Sequence, residues 1–384
     1  MSEKPKRKKI SWRQYISMVF FMLIGGVCGF LMVAYIEGAA TKETALWIEI
    51  LSLFGLLISM YIAFFVQVVI HEAGHLVFGK LSGYTFSSFR VFSFMWIKEK
   101  NKIRFRRLSL AGTGGQCLMV PPDMNDGKIP VVLYNMGGSI MNILVSLLFL
   151  VLFALTAEEP YLSLVMLISA VVGFAFAIMN GVPMRLGTMD NDGYNAFALR
   201  KNSDAMRGFW VQLRANEQIA SGVRLKDMPE AWFVVPSDAE MKNSMVAVIG
   251  VFACNRLIDE HRFEDADQLM AHLLDIDSGI VGLHRNLLIC DRLFCELIGE
   301  NKSDTVEALR SEEQQKFMKS MKNFPSVLRS QYTYALLAKK DFKQANEVET
   351  QLEKCAKSYP YPSEIQAERE LIEIAKIAAD REQR

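Results

Sequence analysis

Four long apolar runs constrain the fold of this chain more than any other feature. They extend over residues 15–36, 50–70, 129–157 and 161–184 and contain no Asp, Glu, Lys or Arg. A helix needs about 20 apolar residues to cross roughly 30 Å of hydrocarbon, and every run is long enough. Four such runs in the first half of one chain are not typical of a soluble core. The sequence therefore predicts an α-helical polytopic membrane protein with four transmembrane helices.

Composition agrees with this prediction and excludes other classes. Apolar residues make up 51% of the chain and charged residues 22%, which excludes a disordered protein. Lys and Arg number 43 against 42 Asp and Glu, so the net charge of +1 gives no reason to expect a nucleic-acid partner. The six cysteines form no CxxC pair and are interpreted as buried, reduced thiols.

The distribution of basic residues predicts the orientation in the membrane. The segment before the first run contains six basic residues and one acid, and residues 76–128 contain nine basic residues and three acids. The connections at residues 41–44 and 158–160 contain Lys42 as their only basic residue. Because Lys and Arg accumulate on the cytoplasmic side, both termini are expected in the cytoplasm. The first run lacks a clear small-residue cleavage site and is interpreted as an anchor, not as a signal peptide.

The parts outside the apolar runs predict a cytoplasmic hairpin and a helical domain. Residues 84–110 alternate apolar and polar side chains around a turn at Lys98 to Lys102, which is typical of a β-hairpin. From about Asn202 the sequence is charged, has a helical period and contains few glycines. We therefore expect three domains: a basic N-terminus and first anchor over residues 1–45, a membrane core over 46–201, and a cytoplasmic all-α domain over 202–384.

Two segments of the helical domain share a Phe-x-x-Ala pattern, at Phe263 with Ala266 and at Phe342 with Ala345. Small alanines at such positions let paired helices pack closely. The pattern resembles tetratricopeptide-type repeats, although its period is irregular. We expect a domain of helix pairs. Recruitment of a cytoplasmic protein partner and a purely stabilising role both stay open for it.

The second apolar run leads into a motif with metal-binding chemistry. At its end the sequence reads QVVIHEAGHLVFGKL, in which His71, Glu72 and His75 form an HExxH motif. On a helix, residues four apart lie about 40° apart around the axis, so both imidazoles project to one side and can hold one Zn²⁺. Glu72 projects to a different side, where it can reach a metal-bound water. Ionisable residues at membrane depth are costly unless they are paired or functional, which favours a site over a chance match.

A third ligand is expected just after the fourth run, where the sequence reads IMNGVPMRLGTMDNDGYNAF. Asn180 and Pro183 interrupt the helix there, and broken helices at membrane depth typically line a cavity or a site. Asp192, which Gly193 follows, and Asp190 are the candidate ligands. Two histidines and one carboxylate would leave one zinc position open for water, as in catalytic zinc sites.

Together these motifs resemble the site-2 protease family of zinc intramembrane metalloproteases. The family combines HExxH in one span with Asn-x-x-Pro and Asp-Gly in a later span, and its Gly-Pro-x-x-Asn motif is similar to residues 138–142, GSIMN, with serine replacing proline. Asp192 follows Asn180 by twelve residues, more than in the commoner family pattern. Asp192 is preferred to Asp190 because glycine follows it, as in the family motif. The resemblance covers roughly residues 50–195.

The resemblance implies a zinc-dependent endopeptidase that cleaves a peptide bond within or next to a transmembrane segment of a membrane-protein or peptide substrate. This process is called regulated intramembrane proteolysis. One Zn²⁺ per chain would be held by His71, His75 and Asp192, and Glu72 would take the proton of the zinc-bound water. The setting implied is the lipid bilayer of a bacterial cell membrane.

Several alternatives stay open. Asn142 and Asn180 are candidates for steadying the oxyanion or holding the substrate backbone. A non-proteolytic scaffold would bind metal and recruit partners through residues 202–384, and a transporter would also use broken helices and intramembrane polar residues. The hairpin could extend a substrate by strand addition, or it could rest on lipid headgroups with Trp96 as an interfacial anchor.

Overall fold

The computed structural model describes residues 12–39, 45–99, 102–109, 114–184 and 190–382. The chain divides into two compact units. The membrane unit comprises Met1–Ser82 with Pro130–Lys201, and the sheet–helix unit comprises Gly83–Ile129 with Asn202–Arg384. Residues 83–129, which the sequence analysis places with the membrane core, group with the C-terminal helices in this division.

The membrane unit is built from long apolar helices. Its elements are α1 (Trp12–Ala39), α2 (Leu46–Leu81), α3 (Val131–Leu155), α4 (Pro160–Gly181) and the short α5 (Asp192–Ala198). Within the described residues, α2, α3 and α4 are each long and apolar enough to cross a membrane. The apolar stretch found in α1 among the described residues, Met22–Gly38, is shorter than these three helices. The helices agree with a multi-pass membrane protein, and the count of four spans stays a prediction.

Helices α2 and α3 approach each other backbone to backbone. A Cβ atom added to Gly74 of α2 would lie 2.3 Å from the carbonyl oxygen of Gly137 in α3. A Cβ atom on Gly137 would in turn lie 2.7 Å from the carbonyl oxygen of Gly74. Small residues allow this kind of close approach between membrane helices, where van der Waals packing drives association. The contact lies next to His71 and His75 on the same helix, so it sets the distance between α3 and both imidazoles.

Replacing Gly74 with alanine should therefore destabilise the membrane unit. The added methyl group overlaps a backbone carbonyl that cannot move without separating the helices, and overpacking of this kind costs about 1–3 kcal/mol. We expect a lower thermal midpoint for G74A in detergent, measured by circular dichroism. The matched control is G25A, because a Cβ on Gly25 of α1 meets no atom of the described residues within 4 Å. Equal midpoints for the two variants would contradict the packing described.

A four-stranded antiparallel sheet opens the sheet–helix unit. Its strand order is β3-β2-β1-β4, and the pairings are all antiparallel. The turn expected at Lys98 to Lys102 lies between β2 and β3, with Glu99 paired to Lys102. The hairpin predicted from the sequence is thus part of a larger sheet, whose strands are β1 (Thr85–Val91), β2 (Phe94–Glu99), β3 (Lys102–Arg107) and β4 (Gly115–Val120).

The two faces of the sheet differ in their surroundings. Met95 and Ile97 of β2 are fully buried and belong to the same hydrophobic core as the C-terminal helices. On the opposite face, the ring of Phe105 lies 6.0 Å from that of Phe94 and 5.7 Å from that of Trp96. These three aromatic side chains are more than 40% exposed. The period-2 alternation in the sequence therefore separates a core face from an open aromatic face.

Helices form the remainder of the sheet–helix unit. The buried Ala266 and Ala345 lie in α8 (Phe263–Asp275) and α13 (Phe342–Ala356) at the positions expected for close helix packing, whereas Phe342 is half exposed. A repeat of the tetratricopeptide type stays a prediction. The helices are α6 (Ser203–Ala220), α7 (Ser244–Asp259), α8 (Phe263–Asp275), α9 (Gly282–Ile298), α10 (Ser303–Leu309), α11 (Glu312–Ser320), α12 (Pro325–Thr333), α13 (Phe342–Ala356) and α14 (Pro362–Glu382), with a π-helical turn at Tyr334–Ala338.

Hydrogen bonds also tie the sheet to these helices. The backbone N–H of Arg107 in β3 donates to the carbonyl oxygen of Ser358 at 3.0 Å. The indole N–H of Trp210 in α6 donates to the carbonyl oxygen of Pro122, also at 3.0 Å. With the shared hydrophobic core, these bonds make the sheet and the C-terminal helices one packed body.

Partly buried carboxyl groups lie in the last helix of this body. The Tyr359 hydroxyl donates to Oε2 of Glu364 at 2.7 Å. Burial raises the pKa of Glu364 to about 7, against the opposing effect of that hydrogen bond. Burial likewise raises the pKa of Glu368 to about 7, although the charge of Arg329 opposes it. The folded unit therefore keeps protons on these carboxyls at pH values where an unfolded chain, with a Glu pKa of roughly 4.3, has lost them.

Stability should accordingly fall as the pH rises. A carboxyl group with a raised pKa contributes its full stabilisation of the folded state below about pH 4.5. This stabilisation is lost as the pH rises past about 7. We expect a higher thermal midpoint at pH 6 than at pH 8, and a difference reduced by roughly half in E364Q, since Glu368 retains its share. The exposed Glu312 supplies the control E312Q. An E364Q midpoint that responds to pH as strongly as wild type would refute this assignment.

Candidate metal centre

The two histidines of the HExxH motif lie side by side on α2. His71 and His75 are one helical turn apart, their ring centroids are 4.8 Å apart, and their Nε2 atoms are 3.2 Å apart. Both side chains are buried. The helical spacing predicted from the sequence thus directs both Nε2 atoms to the same point.

Asp192 completes the group at that point. Its Oδ2 atom lies 3.0 Å from Nε2 of His71 and 3.4 Å from Nε2 of His75. Among the described residues, these three side chains form the group of His, Cys, Asp and Glu whose ligand atoms could hold one metal ion. Asp190, the alternative ligand, does not belong to this group. Asp192 therefore lies next to both imidazoles although it follows Asn180 by twelve residues. Residues 185–189 of that interval lie outside the described residues.

Asn191 fixes the start of the helix that carries Asp192. Its Oδ1 accepts hydrogen bonds from the backbone N–H groups of Tyr194 at 2.9 Å and Met184 at 3.0 Å. Its Nδ2 donates to the carbonyl oxygens of Met179 at 2.8 Å and Val182 at 2.6 Å. One buried amide therefore caps α5 and ties it to the end of α4. We did not predict a role for Asn191 from the sequence, although asparagine just before a helix is a known N-cap signal.

Gly193 explains why glycine follows the aspartate. A Cβ atom at this position would lie 2.2 Å from the carbonyl oxygen of Gly181, the last residue of α4. Only a residue without a side chain lets α5 begin against the end of α4. The Asp-Gly pair thus combines a candidate ligand with the close approach that positions it.

Each imidazole is also held through its other ring nitrogen. Nδ1 of His75 donates to the carbonyl oxygen of Tyr134 at 2.9 Å, and Nδ1 of His71 donates to Oδ1 of Asn142 at 2.8 Å. Both acceptors lie on α3. A proton on Nδ1 leaves the lone pair on Nε2, which is the arrangement that metal-ligating histidines need.

Comparison with known proteins decides the family. The family model of peptidase family M50 matches residues 59–358, more than half of the chain. The chain belongs to peptidase family M50. This is the site-2 protease family, so the resemblance drawn from the motifs is confirmed, and the chain is a site-2-protease-like membrane metalloendopeptidase. Neither a curated protein nor a solved structure matches it.

The M50 match reaches further than the motifs do. It begins inside α2 and ends at residue 358, just before α14. It therefore includes the sheet and most of the C-terminal helices, for which the motifs of the membrane core gave no explanation.

Members of the M50 family are zinc metalloproteases, and the donor set of this peptidase fits zinc. Two imidazole nitrogens and one carboxylate oxygen meet at one point, while both Nδ1 atoms are already engaged. The carboxylate of Asp192 would complete a set of three ligands, which leaves one zinc position open.

The remaining predicted residues lie in different surroundings. Glu72 is buried and interacts electrostatically with His75. The Asn142 amide donates to Oε1 of Gln67 at 2.7 Å and to the backbone oxygen of Gln67 at 3.1 Å. The Asn180 amide donates to the carbonyl oxygen of Phe176, one turn back in α4, at 3.0 Å. The structure thus brings Asn142 to the metal centre, whereas the Asn180 amide bonds within its own helix.

Zinc content should separate the two candidate aspartates. We expect about one zinc per chain in the purified wild-type peptidase and in D190A, and a large loss in D192A, because removing a ligand weakens binding far more than removing a neighbour. Metal analysis after gel filtration measures this directly. Loss of zinc from D190A with retention in D192A would reverse the assignment of the third ligand.

Proposed function

We propose that this peptidase hydrolyses a peptide bond within or next to a transmembrane segment of a membrane-protein or peptide substrate. The observation that carries the proposal is the convergence of His71, His75 and Asp192 in a unit of apolar helices. Membership of the M50 family supports a membrane zinc metalloprotease. A site at membrane depth is suited to substrates that reach it through the bilayer.

The chain's own residues supply positioning and proton transfer. Zinc, when bound by the two histidines and Asp192, supplies Lewis acidity that polarises a peptide carbonyl and acidifies water. Glu72 follows His71 directly but projects from a different side of α2, so it does not serve as a zinc ligand. Its carboxylate accepts the proton of the attacking water and delivers it to the leaving amine. Tyr134 and Asn142 hold the imidazoles during this transfer.

The oxyanion of the reaction needs a donor as well. If Asn142 or Asn180 served, its amide would have to leave its present acceptor, Gln67 or Phe176. The positioning contact of Asn142 with His71 fits the present geometry without any such movement.

Placement in the cell follows from the sequence. We propose four spans, with both termini in the cytoplasm and the metal centre near the cytoplasmic side of a bacterial cell membrane. The excess of basic residues before α1 and in residues 76–128 supports this orientation. Residues 202–384 would then form a cytoplasmic surface for a protein partner.

Changing Glu72 to glutamine should abolish cleavage and spare the metal. The amide keeps the size of the side chain but cannot accept the proton, so we expect at least about a hundredfold loss of cleavage of a membrane substrate. Zinc content should stay near one per chain. The control is E49Q, a change in the first turn of the same helix, which should cleave like wild type.

Cleavage by E72Q at the wild-type rate would reject the proposed role of Glu72. Absence of cleavage by the wild type together with normal zinc binding would instead favour the non-proteolytic scaffold.

A further inference from the structure

Gln67 is a buried polar residue in the middle of an apolar helix. It lies on α2 one turn before His71, and its side chain is completely inaccessible to solvent. An amide removed from water costs free energy unless its donors and acceptors are paired, and in a membrane helix such a residue calls for a physical reason. No motif in the sequence includes it.

The side chain of Gln67 connects three helices. Its Nε2 donates to the carbonyl oxygen of Ser169 in α4 at 3.1 Å. Its Oε1 accepts from Nδ2 of Asn142 in α3 at 2.7 Å. Asn142 in turn accepts from Nδ1 of His71 at 2.8 Å. A continuous path of hydrogen bonds therefore leads from a backbone carbonyl of α4 to a metal ligand on α2.

The path has a fixed direction. A backbone carbonyl can only accept a hydrogen bond, so Ser169 requires the NH₂ group of Gln67. This leaves Oε1 of Gln67 for Asn142, whose NH₂ group must face it and whose Oδ1 must then face His71. An amide oxygen accepts only, so the proton of His71 is held on Nδ1 and the lone pair on Nε2.

The site for the Gln67 amide is built into α4. A Cβ atom on Gly173 would lie 2.1 Å from Oγ of Ser146 and 2.3 Å from Nε2 of Gln67. Glycine at this position thus provides the space that the amide occupies. His75 needs no comparable path, because its Nδ1 donates straight to the carbonyl oxygen of Tyr134.

We propose that Gln67 is a positioning residue that acts through Asn142 to hold His71 in the tautomer and orientation required for metal binding. The inference rests on the proposed function in that it takes His71 as a zinc ligand. Partners of ligating histidines typically change metal affinity by about 10–100-fold when they are removed.

Zinc affinity of the detergent-purified full chain, measured by competition with a chromophoric chelator, tests the proposal. The variant Q67M keeps the volume but makes no hydrogen bonds, and we expect it to bind zinc about 10–100-fold more weakly than wild type. The control is S146A, because Ser146 is buried in α3 and its hydroxyl has no hydrogen-bond partner within the described residues. S146A should bind zinc like wild type.

A double-mutant cycle distinguishes a path from two separate structural effects. If Gln67 acts through Asn142, the double variant Q67M/N142A should bind zinc no more weakly than N142A alone. Q67E provides a rescue, since a neutral buried carboxyl can still donate to Ser169 and accept from Asn142. The zinc affinity of Q67E should lie closer to that of wild type than the affinity of Q67M does. If Q67M folds poorly, Q67E serves as the test variant.

Two outcomes would contradict the positioning role of Gln67. A Q67M affinity within twofold of wild type, or fully additive effects in the double variant, would overturn the positioning role. Failure of the wild type to bind zinc would instead reject the proposed function, so the two failures are distinguishable.

Discussion

The contact of α2 with α3 at their glycines is the constraint on which the metal centre depends. Gly74 and Gly137 bring the two backbones together, and a Cβ atom on Gly138 would lie within 2.6 Å of the His71 ring. Because α3 is this close, its Tyr134 carbonyl and its Asn142 amide can hold both imidazoles. Bulkier side chains would separate the helices and remove both acceptors from reach.

The third ligand depends on a second close approach, at the end of α4. Asn191 replaces the hydrogen bonds that are lost where this helix breaks, and Gly193 lets α5 begin against it. The carboxylate of Asp192 thereby faces the two imidazoles. Buried polar groups are costly unless they are paired, and in this unit the pairing itself builds the site. The groups that form hydrogen bonds with the backbone also orient the predicted ligands.

Much of this arrangement follows from the sequence, because its signals are local. Helical spacing places His71 and His75 on one side of α2, and the glycine after Asp192 favours Asp192 over Asp190 as the predicted ligand. Gln67 could not be found in this way, since its partners come from other helices and leave no periodic pattern. Asn191 has a local N-cap signal, but its bonds to the end of α4 leave no such pattern. Only the packed structure shows which backbone carbonyls their amides reach.

The sheet likewise follows only in part from the local sequence pattern. Alternation over residues 84–110 identifies strands and the turn after Glu99, but it gives no indication of β4 or of the core that β2 shares with the C-terminal helices. Pairing with β4 crosses a longer connection, and the burial of Met95 and Ile97 depends on helices more than 100 residues away in sequence. Long-range packing of this kind is not encoded in a local pattern.

We expect two imidazoles of α2 and one carboxylate of α5 to hold a single zinc ion. X-ray absorption at the zinc edge of the purified full chain tests it most directly. We predict only nitrogen and oxygen neighbours at about 2.0–2.2 Å, with scattering from two imidazole rings in wild type and from one in H75A. Sulfur neighbours at about 2.3 Å, or an unchanged spectrum in H75A, would contradict it.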